Sequence, residues 1–312
     1  MFPKKTRIYI AGHSGMVGSS ILRALRKNGY KELIYISSKN LDLRDQTKTL
    51  NFLKKNKPQV VIIASAKVGG IMSNSTYKAD FIRDNLLIQN NLIIGSHQCN
   101  VKKLIFLSSS CVYPKNIRKP LKEKYLFNGP LEETNSPYAV AKLAGMKLCE
   151  SYNEQYNTNF ITLVPCNLYG ERDSFDLFNS HFFPALLKKI DDYKNKTNEV
   201  IEIWGNGLAK RELMYVDDLA DACVFFMNKN KINKDYINIG TGKQSSIIDY
   251  ANEICKFLKV KPKYKFDRSK PNGMKTKVLD ISVSKKLGWK SKISLKRGIK
   301  KTYTYYQKIR DL

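Results

Sequence analysis

Residues 7–18 read RIYIAGHSGMVG, and the reading of this stretch decides the fold. Arg7 to Ala11 reads as a strand and runs straight into Gly12-His-Ser-Gly15-Met-Val-Gly18 and then into a helical pattern that stops at Gly29. A GxxGxxG pattern alone is weak. Between a first strand and a first helix it acquires a physical reason: the glycines let backbone approach a pyrophosphate, which rests on the helix N-terminus. The competing reading is a glycine-rich turn.

Outward from this point the chain alternates. Residues 32–36, 59–64 (after Pro58) and 104–107 are short apolar runs, separated by helix-like segments. Their hydrophobicity is continuous rather than alternating, so both faces are expected to be covered, as in a parallel sheet. A long helical stretch follows from Tyr138 to about Tyr156, then a strand at 160–164. Beyond Gly170 the regularity weakens, with a strand-like run at 236–239 and a basic helix around 295–309. The expected fold is α/β: a doubly wound parallel-sheet Rossmann domain with a smaller C-terminal mixed α/β substrate lobe. Residues 1–170 plus about 213–245 are expected in the first unit, and about 171–212 plus 246–312 in the second.

Apolar residues at 42% and charged residues at 26% over 312 positions describe a soluble chain able to bury a large core. Lys+Arg 55 against Asp+Glu 27 gives a formal net charge of +28. Such an excess raises nucleic acid as a partner. The lysines are spread along the chain, however, without a basic tail, so a solvated surface that attracts small anions is the preferred reading, with no nucleic acid. Six cysteines without a CxxC pair and three histidines give no metal spacing. The N-terminus lacks a leader-like apolar run, and no run approaches the roughly 18 residues of a membrane span. A reduced, cytoplasmic protein without membrane attachment is expected.

The end of the second strand bears on the cofactor. NAD sites commonly place a carboxylate there for the ribose hydroxyls. Here stand Ser37-Ser38-Lys39, which would admit a 2′-phosphate and so favour NADP(H), with Asp42 and Leu43 on the adenine side. The alternative for Asp42 is a solvated loop carboxylate.

The run LSSSCVYP, residues 107–114, ends the strand at 104–107. Downstream, Tyr138 and Lys142 lie at i and i+4 on one helix face. The same Tyr-x-x-x-Lys spacing recurs at Tyr35 and Lys39, but across a strand end, where the side chains share no face. An ammonium beside a phenol is expected to lower its pKa from about 10 toward the working range, as proton transfer requires. A serine from the strand end can hydrogen-bond the same carbonyl oxygen.

These motifs resemble the extended short-chain dehydrogenase/reductase family and, within it, the GDP-L-fucose synthase family over nearly the full length. The resemblance is carried by AGHSGMVGS, the KVGG of residues 67–70, SSCVYP, SPYAVAKLAG, PCNLYG, NSHFFPALL, WGNGLAKRELMYVDD and INIGTG. It implies NADPH-dependent 3,5-epimerisation and C4 reduction of GDP-4-keto-6-deoxy-D-mannose to GDP-L-fucose by a homodimer. Ser109, Tyr138 and Lys142 are then the reductive set, Cys111 the base and His181 the acid. Gly12, Ser14, Gly15, Met16, Val17, Gly18, Ser38, Lys39, Asp42, Leu43, Lys142 and His181 would hold the cofactor. Trp204 and Arg211 in the second lobe, with Asn167, Lys189 and Lys270 or Lys277 nearby in the pattern, would hold the GDP-linked 4-keto sugar. Read without the resemblance, Cys111 is a buried thiol, His181 a helix cap, Arg211 a surface ion pair and Trp204 core packing.

The chain departs from the family pattern in three places. Ser14 and a residue near Ser38 replace basic side chains, the usual KPDG is Lys270-Pro-Asn272-Gly, and residues 173–178 differ beside the sugar site. Two rivals follow: a C4-reductase of another GDP-4-keto sugar such as a GDP-4-keto-heptose, with or without epimerisation, and a basic Rossmann-based protein that binds nucleic acid.

Overall fold

The computed structural model describes residues 1–177, 180–230, 232–269 and 276–310. Lys270 and Asn272, and Asn179 before His181, lie outside the described residues. Strand β1 (Ile8–Ala11) leads into α1 (Met16–Lys27), followed by β2 (Leu33–Ile34), α2 (Gln46–Asn56), β3 (Val60–Ile63), α3 (Ile71–Thr76), α4 (Lys78–Gln98) and β4 (Lys103–Leu107). Next come α5 (Ser136–Tyr156), β5 (Phe160–Pro165), β6 (Asn167–Tyr169), α6 (Phe182–Lys194), β7 (Ile201–Trp204), β8 (Lys210–Arg211) and β9 (Leu213–Tyr215). The chain closes with α7 (Val216–Met227), β10 (Tyr236–Ile239), β11 (Ser245–Ser246), α8 (Ile247–Leu258), β12 (Tyr264–Asp267), β13 (Thr276–Lys277), α9 (Ser282–Lys286) and α10 (Leu295–Arg310).

Six strands form one sheet in the order β10-β5-β4-β3-β1-β2, every pair parallel. All residues of β1, β3, β4 and β5 are buried, which is what continuous apolar runs demand when helices cover both faces. Right-handed crossovers put α1, which packs on α7, on one face, and α2, α4 and α5 on the other. The order reverses between β1 and β3, so the strand ends there open into a crevice. β2 is shorter than the run at 32–36: it is the edge strand with β1 as its single neighbour, only half-buried, and Tyr35 turns outward. α1 begins before Gly18, leaving that glycine inside its first turn.

A second core gathers Tyr169, Phe183, Leu187, Tyr250, Ile254 and Tyr303 from α6, α8, α10 and β6. Leu187 and Ile254 are fully buried, so truncating either to Ala costs about 2–5 kcal/mol. Small sheets surround this core: β7 with β12, β6 with β9, and β8 between β11 and β13. We propose that the two cores mark two lobes divided as the sequence reading places them except at their seam, where Tyr169, Leu213, Tyr215 and Val216 pack in the second core and Leu279, Ile281 and Trp289 in the first. Buried polar groups tie them together. The Glu212 carboxylate accepts from the amides of Thr241 (2.6 Å), Gly242 (2.7 Å) and Leu279 (2.7 Å). Without those donors a buried carboxylate would be costly, and burial still pushes its pKa up. Among the described residues no helix is long and apolar enough to cross a membrane.

Candidate active site

The carboxyl edge of the large sheet and the second core enclose a cleft of about 1150 Å³, above the usual range for a single small ligand. At one end lies the glycine cradle. Gly12 has φ +84°, and a Cβ there would sit 2.7 Å from the Ser65 nitrogen. A Cβ on Gly18 would meet the Gly12 oxygen at 2.0 Å. Gly18 therefore does not line the cleft; it lets α1 close against the turn. No side chain caps α1 and no acid stands in its first turn, leaving the helix N-terminus to an anion. His13 Nδ1 and Ser65 Oγ, both on the cleft wall, are buried without a partner. Orphaned donors and acceptors beside a glycine turn fit a dinucleotide pyrophosphate.

Gly12, Ser14, Gly15, Met16, Val17, Ser38, Asp42 and Leu43 line this end. Lys39 is exposed and does not. Arg44 supplies the cation there, a residue the sequence reading missed. Its guanidinium grips Asp42 at 2.7–3.1 Å, holding that carboxyl down at about 2, and lies 3.5 Å from Asp84. Asp42 is an exposed loop carboxylate already engaged by Arg44. Lys67, in the KVGG motif, also faces the cleft, paired to Asp80 (3.3 Å) and Asp84 (3.2 Å).

At the centre the three serines separate. Ser108 is buried, its hydroxyl 3.0 Å from Met146 Sδ, and Ser110 is buried. Ser109, half-buried, faces the cleft and accepts the Cys111 amide at 3.4 Å, starting a short 3-10 turn at Ser110–Val112. Tyr113, on the next turn, donates to Asn238 on β10 at 2.7 Å, which pins the segment carrying Cys111. Lys142 is 3% exposed; its Nζ donates to the Leu107 carbonyl at 3.0 Å and lies 5.8 Å from the Tyr138 ring.

Here one expectation is corrected. The Tyr138 phenol is pushed above its ordinary range, by burial first and then by neighbouring Cys111, while burial brings Lys142 down to about 8. Desolvation outweighs the i,i+4 ammonium, because that ammonium is turned to the end of β4. Tyr138 is accordingly held protonated, as a donor.

Burial also raises the Cys111 thiol, opposed by Lys277, the Ser109 hydrogen bond and Lys142. His181 stands at the N-cap of α6, exposed to the cleft, and burial together with Lys277 keeps it below the usual imidazole range. Cys111, Tyr138, Lys142, His181 and Ser109 therefore share one cavity.

The far end holds Asn167 on β6, Lys189 on α6, Trp204 on β7, Arg211 on β8 and Lys277 on β13. Lys189 binds the Glu202 carboxylate at 3.2 Å and lies 5.6 Å from the Trp204 ring; Arg211 donates to the Lys210 carbonyl at 2.8 Å. Burial lowers both Arg211 and Lys277, the latter pressed further by Arg211. Arg211 and Trp204 are both half-buried on the cleft wall.

The model of the NAD dependent epimerase/dehydratase family matches residues 8–240. A GDP-L-fucose synthase from Sinorhizobium fredii is 46% identical over 297 residues, covering 95% of this chain and 94% of that protein. The GDP-L-fucose synthase of Escherichia coli is 42% identical, covering 98% of each. A solved GDP-mannoheptose C4 reductase from Campylobacter jejuni, with NADP bound, superposes with TM-score 0.89 at 39% identity, covering 98% of this chain and 100% of that one. A chain with this cleft and these relatives belongs to the NAD dependent epimerase/dehydratase family, in its GDP-L-fucose synthase branch.

Proposed function

We propose that the chain inverts C3 and C5 of GDP-4-keto-6-deoxy-D-mannose and reduces C4 with NADPH, giving GDP-L-fucose. The observation that carries this reading is the single cavity walled by Ser109, Cys111, Tyr138, Lys142 and His181. Protons on C3 and C5 are acidic because both carbons adjoin the ketone. Cys111 Sγ, as thiolate, takes such a proton; the electron pair moves to the C4 oxygen, where the Ser109 and Tyr138 hydroxyls hold the enolate. His181 returns a proton to the opposite face. It must be charged to do so; burial first and then Lys277 lower its pKa, and a diphosphate beside Lys277 would offset the second of these. Bound NADPH supplies the hydride for C4. Tyr138 then gives its proton to the C4 oxygen, and Lys142 orients the cofactor ribose. The glycine turn and α1 hold the pyrophosphate, with Ser38 and Arg44 at the adenosine end.

A second reading is C4 reduction alone, on a GDP-4-keto-heptose. The Campylobacter jejuni relative favours it, as does burial raising the very thiol that must serve as base. Incubation in heavy water with GDP-4-keto-6-deoxy-mannose and NADPH separates the two. Deuterium at C3 and C5 with NADPH oxidation is expected; oxidation without deuterium leaves the reductase, and no oxidation of this sugar rejects the proposal.

We further infer a cytoplasmic homodimer that does not bind nucleic acid. Exposed Leu87 on α4 and Val140 on α5 support an apolar contact between copies. Light scattering should return twice 35.9 kDa; the monomer mass would end that inference.

A further inference from the structure

We propose that Glu202 reads the guanine base of the substrate, an inference that rests on the GDP-sugar reading above. Along β7, Ile201 and Ile203 are buried in the second core, so Glu202 and Trp204 share the other face, and both line the cleft. Glu202 Oε1 accepts from Lys189 Nζ at 3.2 Å and from Trp204 Nε1 at 3.1 Å. Those two donors fix the carboxylate in place. Oε2 accepts no hydrogen bond among the described residues, and the side chain remains 43% exposed. An ion pair that open contributes little to folding, so packing gives no reason for an acid between a lysine and a tryptophan on a ligand wall.

Guanine supplies the reason. Its edge offers the N1–H and 2-amino donors beside the O6 acceptor. An anchored carboxylate with an open oxygen accepts the donors, and the adjoining Lys189 ammonium donates to O6. Adenine presents the reverse: its N1 lone pair would face the carboxylate and its amino group the ammonium. The pair thus discriminates by repulsion as well as attraction.

Calorimetry of the full chain with GDP, IDP (GDP without the 2-amino group) and ADP tests this. Wild type should prefer GDP over IDP by about 10-fold or more, and over ADP by about 100-fold. In Glu202→Ala the GDP/IDP ratio should fall to about threefold or less, with NADPH binding retained as evidence of folding. Glu202→Gln, which keeps one acceptor oxygen, should lie between. A wild-type ratio near one overturns the assignment. So does a Glu202→Ala variant that binds GDP and IDP more weakly by the same factor, because that is what mere support of Lys189 and Trp204 predicts. Failure of wild type to bind GDP at all, with NADPH still bound, is a different result and rejects the GDP-sugar reading itself.

Discussion

On the sheet side of the cleft, the central groups are already held: Lys142 on the Leu107 carbonyl, Ser109 on the Cys111 amide, the glycines against one another. The opposite wall, drawn from α6, β8 and β13, instead crowds cations together. Lys277 feels Arg211, and His181 feels Lys277, with burial weakening all three charges. The first wall is set before any ligand arrives, which is what stabilising a developing oxyanion requires. The second is relieved by an anion, so its geometry and its pKa values depend on the substrate's diphosphate. On the proposed mechanism, reduction draws on the first wall and epimerisation needs His181 from the second.

The largest expected effects test that division directly. Tyr138→Phe should cut NADPH oxidation by about 10²–10⁴-fold, whereas Cys111→Ala should cut deuterium entry at C3 and C5 by a similar factor. Both should leave NADPH binding, read by fluorescence quenching, unchanged. A fully active Tyr138→Phe enzyme, or full exchange in Cys111→Ala, would break the assignment of one group to each task.

Next in size is the pH response. Lys142 is brought down to about 8, so it is charged below that pH and neutral above it. The reduction rate should fall as pH rises through about 8, by about tenfold per unit at most. Cys111 is raised and His181 lowered by burial, so the thiolate gained with pH offsets the imidazolium lost, and exchange should not share that fall. In Lys142→Arg, whose guanidinium stays ionised, any remaining reduction should lose its alkaline fall. Parallel profiles for reduction and exchange would show that both steps depend on one titrating group.

The smallest effect is on stability. At 100 times its Kd, GDP should stabilise the chain by about 2.7 kcal/mol. At a fixed GDP concentration that gain should shrink between 0.05 and 0.5 M salt, as the Debye length shortens from roughly 14 to roughly 4 Å. NADPH bound without GDP leaves the second wall unrelieved, so a GDP gain that ignores salt would contradict the cation crowding.

Much of the first wall was legible in the sequence because it is local. The glycine turn, strand end and Tyr138–Lys142 helix each sit within one short segment, and apolar runs mark the strands that align them. The phenol's pKa was misjudged for a three-dimensional reason: spacing on a helix does not reveal that Lys142 turns to Leu107. Arg44 escaped notice because it works by folding back two residues onto Asp42. Glu202 is a polar position on a short strand, and nothing in IEIW says that a lysine from α6 will clasp it. Residues of the second wall were reachable through family likeness alone, since they come from segments far apart in the chain.

The place of β10 in the large sheet bears on how the chain is made. β5 emerges from the ribosome with one edge bare, and its partner, Tyr236–Ile239, is synthesised only after α6 through α7. During that interval a buried-type strand presents open amides and carbonyls, the hazard that edge strands carry. Asn238, which arrives with β10, also receives Tyr113. Completion of the sheet and anchoring of the turn that bears Cys111 are therefore one event: a nascent chain cut short before β10 lacks both.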